Sequence, residues 1–238
     1  MKLSLLEKAL AASRAGRAAV LATHLKSGLQ SFLEGAETMG DLTLDATTIG
    51  ALRKAVTEDR STTIDTAEGP VFVEVFNPRL RCVVVGAVHI AQPLARMAAL
   101  TGYLVTVVDP RTAFASDQRF PEMTLSTDWP DEALEKLKPN RRTAIVTLTH
   151  DPKLDDPALA VALRSDAFYI GALGSKKTHA ARCKRLAALG FGEAEFARIH
   201  GPVGLDIGAI SPAEIAIAIM AEITQVLRTE PQSDREAA

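Results

Sequence analysis

The chain has 238 residues, 47% of them hydrophobic and 24% charged, which suits one large or two small globular domains. A formal net charge of −2 and an aromatic content of 5% argue against a nucleic-acid-binding protein. Two cysteines, no apolar run of transmembrane length and charged residues early in the N-terminal segment favour a cytoplasmic protein without a membrane segment or signal peptide.

The first part of the chain, residues 1–78, is predicted to form a small α+β N-terminal domain. Apolar residues recur with helical spacing over 3–15, and residues 48–59 follow the same pattern. Strands are predicted at 18–24 and 71–78, the second ended by Asn77-Pro78. A unit of this size is marginal for independent folding.

From residue 79 to residue 228 the pattern becomes a regular alternation of apolar strands and helices. This alternation predicts an α/β fold, a Rossmann-like doubly wound parallel sheet. Residues 229–238 are polar and are predicted to be a frayed tail. Predicted strands are 81–86, 103–109, 123–126, 143–150 and 167–174, and predicted helices are 89–102, 130–138, 154–163, 175–189 and 212–228.

In such a sheet, ligands bind outside the carboxyl ends of the strands, so each strand end is a candidate site. The first is Gly86-Ala-Val-His89, at the position of a dinucleotide fingerprint. Gly86 suits the tight turn, but Val88 stands where a glycine would let a pyrophosphate approach. His89 is either a ligand contact or an ordinary residue of the first helical turn.

The second strand end carries Asp109 and Arg111. Asp109 lies 23 residues after Gly86, where an acidic residue commonly accepts a hydrogen bond from a ribose hydroxyl, although a turn-forming aspartate before a proline is an equal alternative. Arg111 could pair with a phosphate, or with Asp117 or Glu122.

The third strand end is Thr149-His150-Asp151, with Asp155 and Asp156 close behind. His150 and Asp151 are candidates for the cleft. Asp156 is interpreted as the cap of a helix that has Pro157 in its first turn.

The fourth strand end is the sharpest local feature, since a glycine-rich bend leads into a helix that opens with two lysines. Free amides, the helix dipole and lysines all favour an anion, and lysines at a helix N-terminus are unfavourable without one. The candidate residues are Gly174, Ser175, Lys176, Lys177, Thr178 and His179.

The fifth candidate is the glycine-dense loop over 201–209, whose candidate residues are Gly204, Asp206 and Gly208. The following Ser211-Pro-Ala-Glu214 is a capping box, which predicts a helix start there.

Five ordered blocks stand out within residues 80–228: VVVGAVHIAQPLA, VTVVDPRTAFASDQRFP, VTLTHDPKLDDPAL, AFYIGALGSKKTHAAR and RIHGPVGLDIGAISPAEIAIAIMAEI. Together they resemble the Rossmann domain of the XdhC/CoxI family, accessory proteins of molybdenum hydroxylases such as xanthine dehydrogenase. The resemblance implies a non-catalytic protein that binds molybdenum cofactor (molybdopterin), protects its sulfurated form and inserts it into the apo molybdenum hydroxylase. It also implies a cysteine desulfurase as an upstream partner.

The chain departs from the family pattern at two points. Val88 replaces the second glycine of the usual G-A-G-H, and residues 1–78 lack the Cys-Gly-Gly motif of longer members. Two other hypotheses stay open: an NAD(P)-binding oxidoreductase that selects its cofactor through Asp109 or Arg111, and an assembly adaptor without a cofactor. A homodimer is also compatible with the sequence.

Overall fold

The computed structural model describes residues 2–229, which divide into two compact units on either side of the Arg79–Leu80 bond. The predicted polar tail at 229–238 therefore lies outside the described residues, apart from Thr229, which ends the last helix.

The N-terminal unit is a five-stranded antiparallel sheet with a helix on each face. The strand order is β3-β2-β1-β5-β4. Leu5 and Ala9 of the first helix pack on one face, and Leu52 of the second packs on the other. The elements are α1 (Leu3–Arg14), β1 (Ala19–His24), β2 (Gln30–Glu34), β3 (Glu37–Gly40), α2 (Ala46–Thr57), β4 (Thr62–Thr66) and β5 (Gly69–Phe76).

Three of these strands, β2, β3 and β4, were not predicted from the sequence. All four residues of β3 are exposed, and no residue of β4 is buried. Edge strands of this kind carry no apolar run, because they bury little side-chain surface.

The second unit is built around a six-stranded sheet in the order β11-β10-β9-β6-β7-β8, in which every pairing is parallel. The predicted Rossmann-like fold is confirmed. The elements are β6 (Arg81–Val85), α3 (Ala91–Leu100), β7 (Leu104–Val108), β8 (Thr124–Ser126), α4 (Pro130–Leu137), β9 (Thr143–Thr147), α5 (Pro152–Arg164), β10 (Tyr169–Ala172), α6 (Lys176–Ala187), α7 (Glu193–Phe196), β11 (Ile199–His200) and α8 (Pro212–Thr229).

Helices cover both faces of this parallel sheet. Leu94 of α3 and Ile219 of α8 pack on one face, while α4, α5 and α6 contribute to the core on the other. The chain leaves β6 first toward β7 and later returns on the opposite side to β9, so the strand order reverses between β6 and β9. Doubly wound sheets bind ligands at such a switch point, outside the carboxyl ends of the strands.

Candidate functional site

The switch point brings the first and third predicted strand ends into contact. Gly86 follows β6 with a φ of +102°, a conformation that side chains rarely adopt. A Cβ atom at this position would overlap the γ-methyl group of Thr149, which follows β9. The turn after β6 therefore requires glycine for both its backbone angle and its closeness to the neighbouring loop.

Two neighbours of Gly86 have different surroundings. Val88 is partly buried and packs against the core cluster beneath α3 and α8. His89 is exposed and precedes α3, which begins at Ala91 rather than at residue 89. Its side chain is therefore open to solvent next to the switch point.

Asp109 is completely buried, and its carboxylate is occupied by neighbours. It accepts hydrogen bonds from the backbone N–H of Ala87 (2.8 Å), from that of Arg111 (3.0 Å) and from the Arg111 guanidinium (2.9 and 2.7 Å). Burial raises the pKa of Asp109, but the hydrogen bonds from Arg111 and Ala87 outweigh it and lower the pKa overall.

This arrangement corrects two interpretations of the second strand end. Asp109 has no exposed surface to offer a ribose hydroxyl. Arg111 pairs with Asp109 instead of Asp117 or Glu122, and its guanidinium carbon lies 4.7 Å from the centre of the Phe114 ring. Its pKa is raised first by the Asp109 hydrogen bond and further by the charges of Asp151 and Asp155, so Arg111 is electrostatically coupled to the third loop.

The third strand end is organised by Asp155, which follows His150 and Asp151 in the sequence. Its buried carboxylate accepts hydrogen bonds from the Thr149 hydroxyl (2.6 Å), from the Thr149 N–H (3.3 Å) and from the His150 N–H (3.1 Å). His150 is exposed and has a positive φ of +61°. The loop thus presents the His150 side chain to solvent from a conformation that Asp155 maintains.

The predicted capping role of Asp156 is wrong. Helix α5 begins at Pro152, and Asp151 is its cap, since the Asp151 carboxylate accepts from the Lys153 N–H at 2.9 Å. Pro157 lies inside the helix instead of in its first turn. Asp156 pairs with Arg185 of α6 (2.5 and 3.0 Å).

The fourth strand end forms a capped helix start that carries uncompensated positive charge. Gly174 has a φ of +143°, and the Ser175 hydroxyl accepts from the Thr178 N–H at 3.1 Å. Lys176 and Lys177 are exposed, and neither has an ion-pair partner within residues 2–229. Both lysines and the positive end of the helix dipole therefore favour a bound anion here.

Behind this helix start, His179 faces the loop that follows β11. Its ring packs so closely on Gly201 that a Cβ there would overlap it, and its buried Nδ1 has no hydrogen-bond partner within the described chain. Burial lowers the pKa of His179, and the charge of Arg182 lowers it further. The neutral ring therefore links the fourth and fifth strand ends by packing.

The fifth loop, 201–209, is anchored to α8 by Glu222, which was not identified from the sequence. The Glu222 carboxylate accepts from the Gly204 N–H (2.8 Å) and from the Tyr169 hydroxyl (2.5 Å), and lies 3.3 Å from His200. Tyr169 and His200 stack at 4.6 Å between ring centres. In the sequence, Glu222 is the one acidic residue of the apolar stretch 215–223, and this isolation could have indicated a buried partner.

The structure thus brings the first strand end into contact with the second and the third, and it packs the fourth against the fifth. It leaves two predicted residues at the periphery. Asp206 and Gly208 are exposed, and no hydrogen bond within residues 2–229 joins either one to another candidate residue. The predicted capping box is confirmed, since Glu214 accepts from the Ser211 N–H at 2.8 Å.

The part of the chain that the structure describes contains no group of three or more metal-ligating side chains. Among the helices of residues 2–229, none has both the length and the apolar character to cross a membrane.

Comparisons with known proteins identify a family for the second unit. A family model described as the XdhC Rossmann domain matches residues 82–223. A protein named as a probable xanthine dehydrogenase subunit, from Bacillus subtilis (strain 168), is 35% identical over 156 residues, which cover 65% of this chain and 45% of that protein. The molybdenum cofactor insertion chaperone PaoD of Escherichia coli (strain K12) is 33% identical over 151 residues, which cover 63% of this chain and 41% of that protein.

Among solved structures, one described as a xanthine dehydrogenase from Bacillus halodurans superposes with a TM-score of 0.76 at 24% identity, covering 98% of this chain and 69% of that one. This likeness supports the fold alone. The chain spans less than half the length of the two curated relatives named above. Because the family match covers more than half of the chain, the protein belongs to the XdhC family through its Rossmann domain.

Proposed function

We propose that this protein is an accessory factor that binds molybdenum cofactor, protects its sulfurated form and inserts it into a xanthine dehydrogenase-type hydroxylase. The cofactor is cargo here, handed from a donor to the apo-hydroxylase. The structural observation that carries the proposal is the helix start at Ser175–Thr178, where two exposed lysines have no counter-ion within the described residues.

The residues around the switch point fit the chemistry of such a cargo. Molybdopterin ends in a phosphate, which suits the N-terminus of α6 with Lys176 and Lys177. Its flat polar ring needs hydrogen-bonding groups and a cover, for which the exposed His89 and His150 and the loop 201–209 are available. The relative named as an insertion chaperone aligns over 63% of this chain.

The partners follow from the same proposal. An apo molybdenum hydroxylase would receive the cofactor, and a cysteine desulfurase would supply its terminal sulfur. We further propose that two copies of the chain form a homodimer.

The alternative of an NAD(P)-dependent oxidoreductase has less support. Asp109, the residue that would hold the ribose, is buried and bonded to Arg111 and Ala87. Val88 also keeps a β-branched side chain where a dinucleotide fingerprint has glycine.

The test is anaerobic mixing of the full chain with sulfurated cofactor, followed by gel filtration and measurement of molybdenum per chain. We expect a stoichiometric complex that restores activity to an apo-hydroxylase. Absence of any complex would refute the proposal. Tight NAD(H) binding with turnover would instead support the oxidoreductase. If the double variant Lys176→Ala with Lys177→Ala captures the same partner proteins as the wild type, an assembly adaptor without a cofactor would be supported.

A further inference from the structure

A buried charge pair links the loops on either side of the candidate site. Asp155 of α5 and Arg182 of α6 are each 1% exposed, and the Arg182 Nη2 atom lies 3.9 Å from the Asp155 Oδ2 atom. The two helices follow adjacent strands of the sheet, β9 and β10. The pair therefore lies under two neighbouring strand ends.

Each member of the pair holds the backbone of one loop. The Asp155 carboxylate accepts the N–H groups of Thr149 and His150, in the loop after β9. The Arg182 Nη2 atom donates to the Leu173 carbonyl oxygen at 2.8 Å, directly before the Gly174 turn. Each loop is thus bonded to one charge, and the two charges face each other.

Arg182 is poorly satisfied for a buried cation. Its Nε and Nη1 atoms are buried and have no hydrogen-bond partner within residues 2–229. Buried donors without acceptors are costly. Burial also disfavours the charged form of each side chain, so it lowers the pKa of Arg182 and raises that of Asp155. A hydrophobic residue of similar volume often serves a core better than such a pair, so stability alone does not account for it.

We propose that Asp155 and Arg182 are positioning residues that couple the Thr149–Asp151 loop to the Leu173–Lys177 turn, so that both keep the geometry that a ligand needs. The ligand part of this inference rests on the proposed function. Neither side chain touches the ligand, because both are closed off from solvent; they act through the backbone groups that they hold.

The neighbouring pair Asp156–Arg185 provides a matched control. It joins the same two helices one residue further along α5 and three residues further along α6, but it bonds to neither loop. The Arg185 side chain is 41% exposed and that of Asp156 is 12% exposed, so Arg185→Met likewise leaves a largely buried carboxylate without its cation.

The first experiment is hydrogen exchange of the full chain without ligand. Arg182→Met removes the cation, and we expect the Thr149 and His150 amides to exchange roughly tenfold faster or more, although Arg182 bonds to neither. The Val146 amide in the sheet core serves as the reference for global stability. Arg182→Lys retains the charge and should restore much of the protection, whereas Arg185→Met should leave both amides close to wild type.

Unchanged exchange of Thr149 and His150 in Arg182→Met, measured relative to Val146, would overturn the coupling. Equal acceleration in Arg185→Met would also overturn it, since a general loosening of the α5–α6 packing would then be the cause.

The second experiment measures the affinity of the same variants for sulfurated molybdenum cofactor. We expect Arg182→Met to weaken binding about tenfold and Arg185→Met to leave it unchanged. Equal affinity of Arg182→Met and wild type would overturn the positioning role. A wild-type protein that binds no cofactor, with the exchange result as expected, would refute the proposed function and leave the coupling of the loops supported.

Discussion

Arg111 places its Nε and Nη2 atoms 2.9 and 2.7 Å from the two carboxylate oxygens of Asp109, two residues earlier in the chain. The same carboxylate accepts the Ala87 N–H from the turn after β6. A single buried side chain thus fixes two neighbouring strand ends, and its charge is offset by a cation at the edge of the site.

The first prediction concerns this carboxylate. Asp109→Asn places an amide NH₂ group toward either the Ala87 N–H or the Arg111 guanidinium, both of which are donors. We expect the free energy of unfolding to fall by about 2 kcal/mol, because hydrogen bonds to charged groups contribute ~1.5–3 kcal/mol. Urea unfolding followed by the fluorescence of Trp129, which lies in the same unit, measures the change.

Asp117→Asn is the control for that substitution, because Asp117 is exposed in the same segment. It should change stability by less than about 0.5 kcal/mol. A similar loss in both variants would contradict the role assigned to Asp109.

The second prediction concerns the lysines at the start of α6. Combined Lys176→Ala and Lys177→Ala should weaken cofactor binding at least ~10-fold, which corresponds to about 1.4 kcal/mol, while stability stays equal or rises by a few tenths of a kcal/mol. The rise is expected because lysines oppose the helix dipole at this end. Equilibrium binding at several salt concentrations, together with thermal unfolding, tests both parts.

Lys184→Ala serves as the comparison, since Lys184 is exposed in the last turn of the same helix, where positive charge is favourable. It should leave cofactor affinity unchanged. Equal weakening by both substitutions would indicate a diffuse charge effect in place of a site at Lys176 and Lys177.

The third prediction separates backbone strain from crowding at Gly86. Gly86→Ala should lower stability by about 2 kcal/mol or more, because a non-glycine residue at this φ costs ~1–3 kcal/mol and its Cβ overlaps the Thr149 methyl group. Thr149→Ser removes that methyl group and keeps the hydroxyl that bonds to Asp155.

The double variant Gly86→Ala with Thr149→Ser should therefore recover part of the loss and retain the part due to backbone strain. A double-mutant cycle of urea unfolding measures the coupling between the two sites. Strict additivity would show that the two groups do not compete for the same space.

The fourth prediction is a pH dependence at Glu222. Burial raises the pKa of Glu222, but hydrogen bonds from His200, Tyr169 and Gly204 outweigh it and place the pKa below the ordinary value of 4.5. A carboxylate whose pKa is lowered by folding contributes stability above its unfolded pKa and loses it as the pH falls through the folded pKa. The wild type should therefore lose stability faster than Glu222→Gln below about pH 4.5.

Urea unfolding of both proteins between pH 3 and pH 7, at intervals of about half a unit, gives the difference curve. The difference in the free energy of unfolding between the two proteins should shrink as the pH falls below about 4.5. Parallel curves over the whole range would contradict a lowered pKa for Glu222.

The sequence by itself determined the class of the second unit. Strands buried on both faces, such as β6 and β9, are apolar along most of their length, and the helices between the strands show a helical period of apolar residues. These local patterns were sufficient to predict the parallel sheet and the edge of the sheet at which the candidate residues lie. The strands β3 and β4 escaped prediction because they expose much of their surface and so carry no such pattern. The strand β2 is largely buried, but it carries no apolar run because Gln30, Ser31 and Glu34 are polar.

Only the tertiary structure decided which polar groups face one another. The sequence left Asp109 open between a ribose acceptor and a turn-forming aspartate, and in the structure it is bonded to Arg111 and Ala87. Asp156 was interpreted as a helix cap, but it pairs with Arg185. The Tyr169–Glu222 bond joins residues 53 positions apart, a separation over which no sequence periodicity extends. Hydrophobic periodicity is a local property of one element, whereas the partner of a buried charge depends on how several elements pack together.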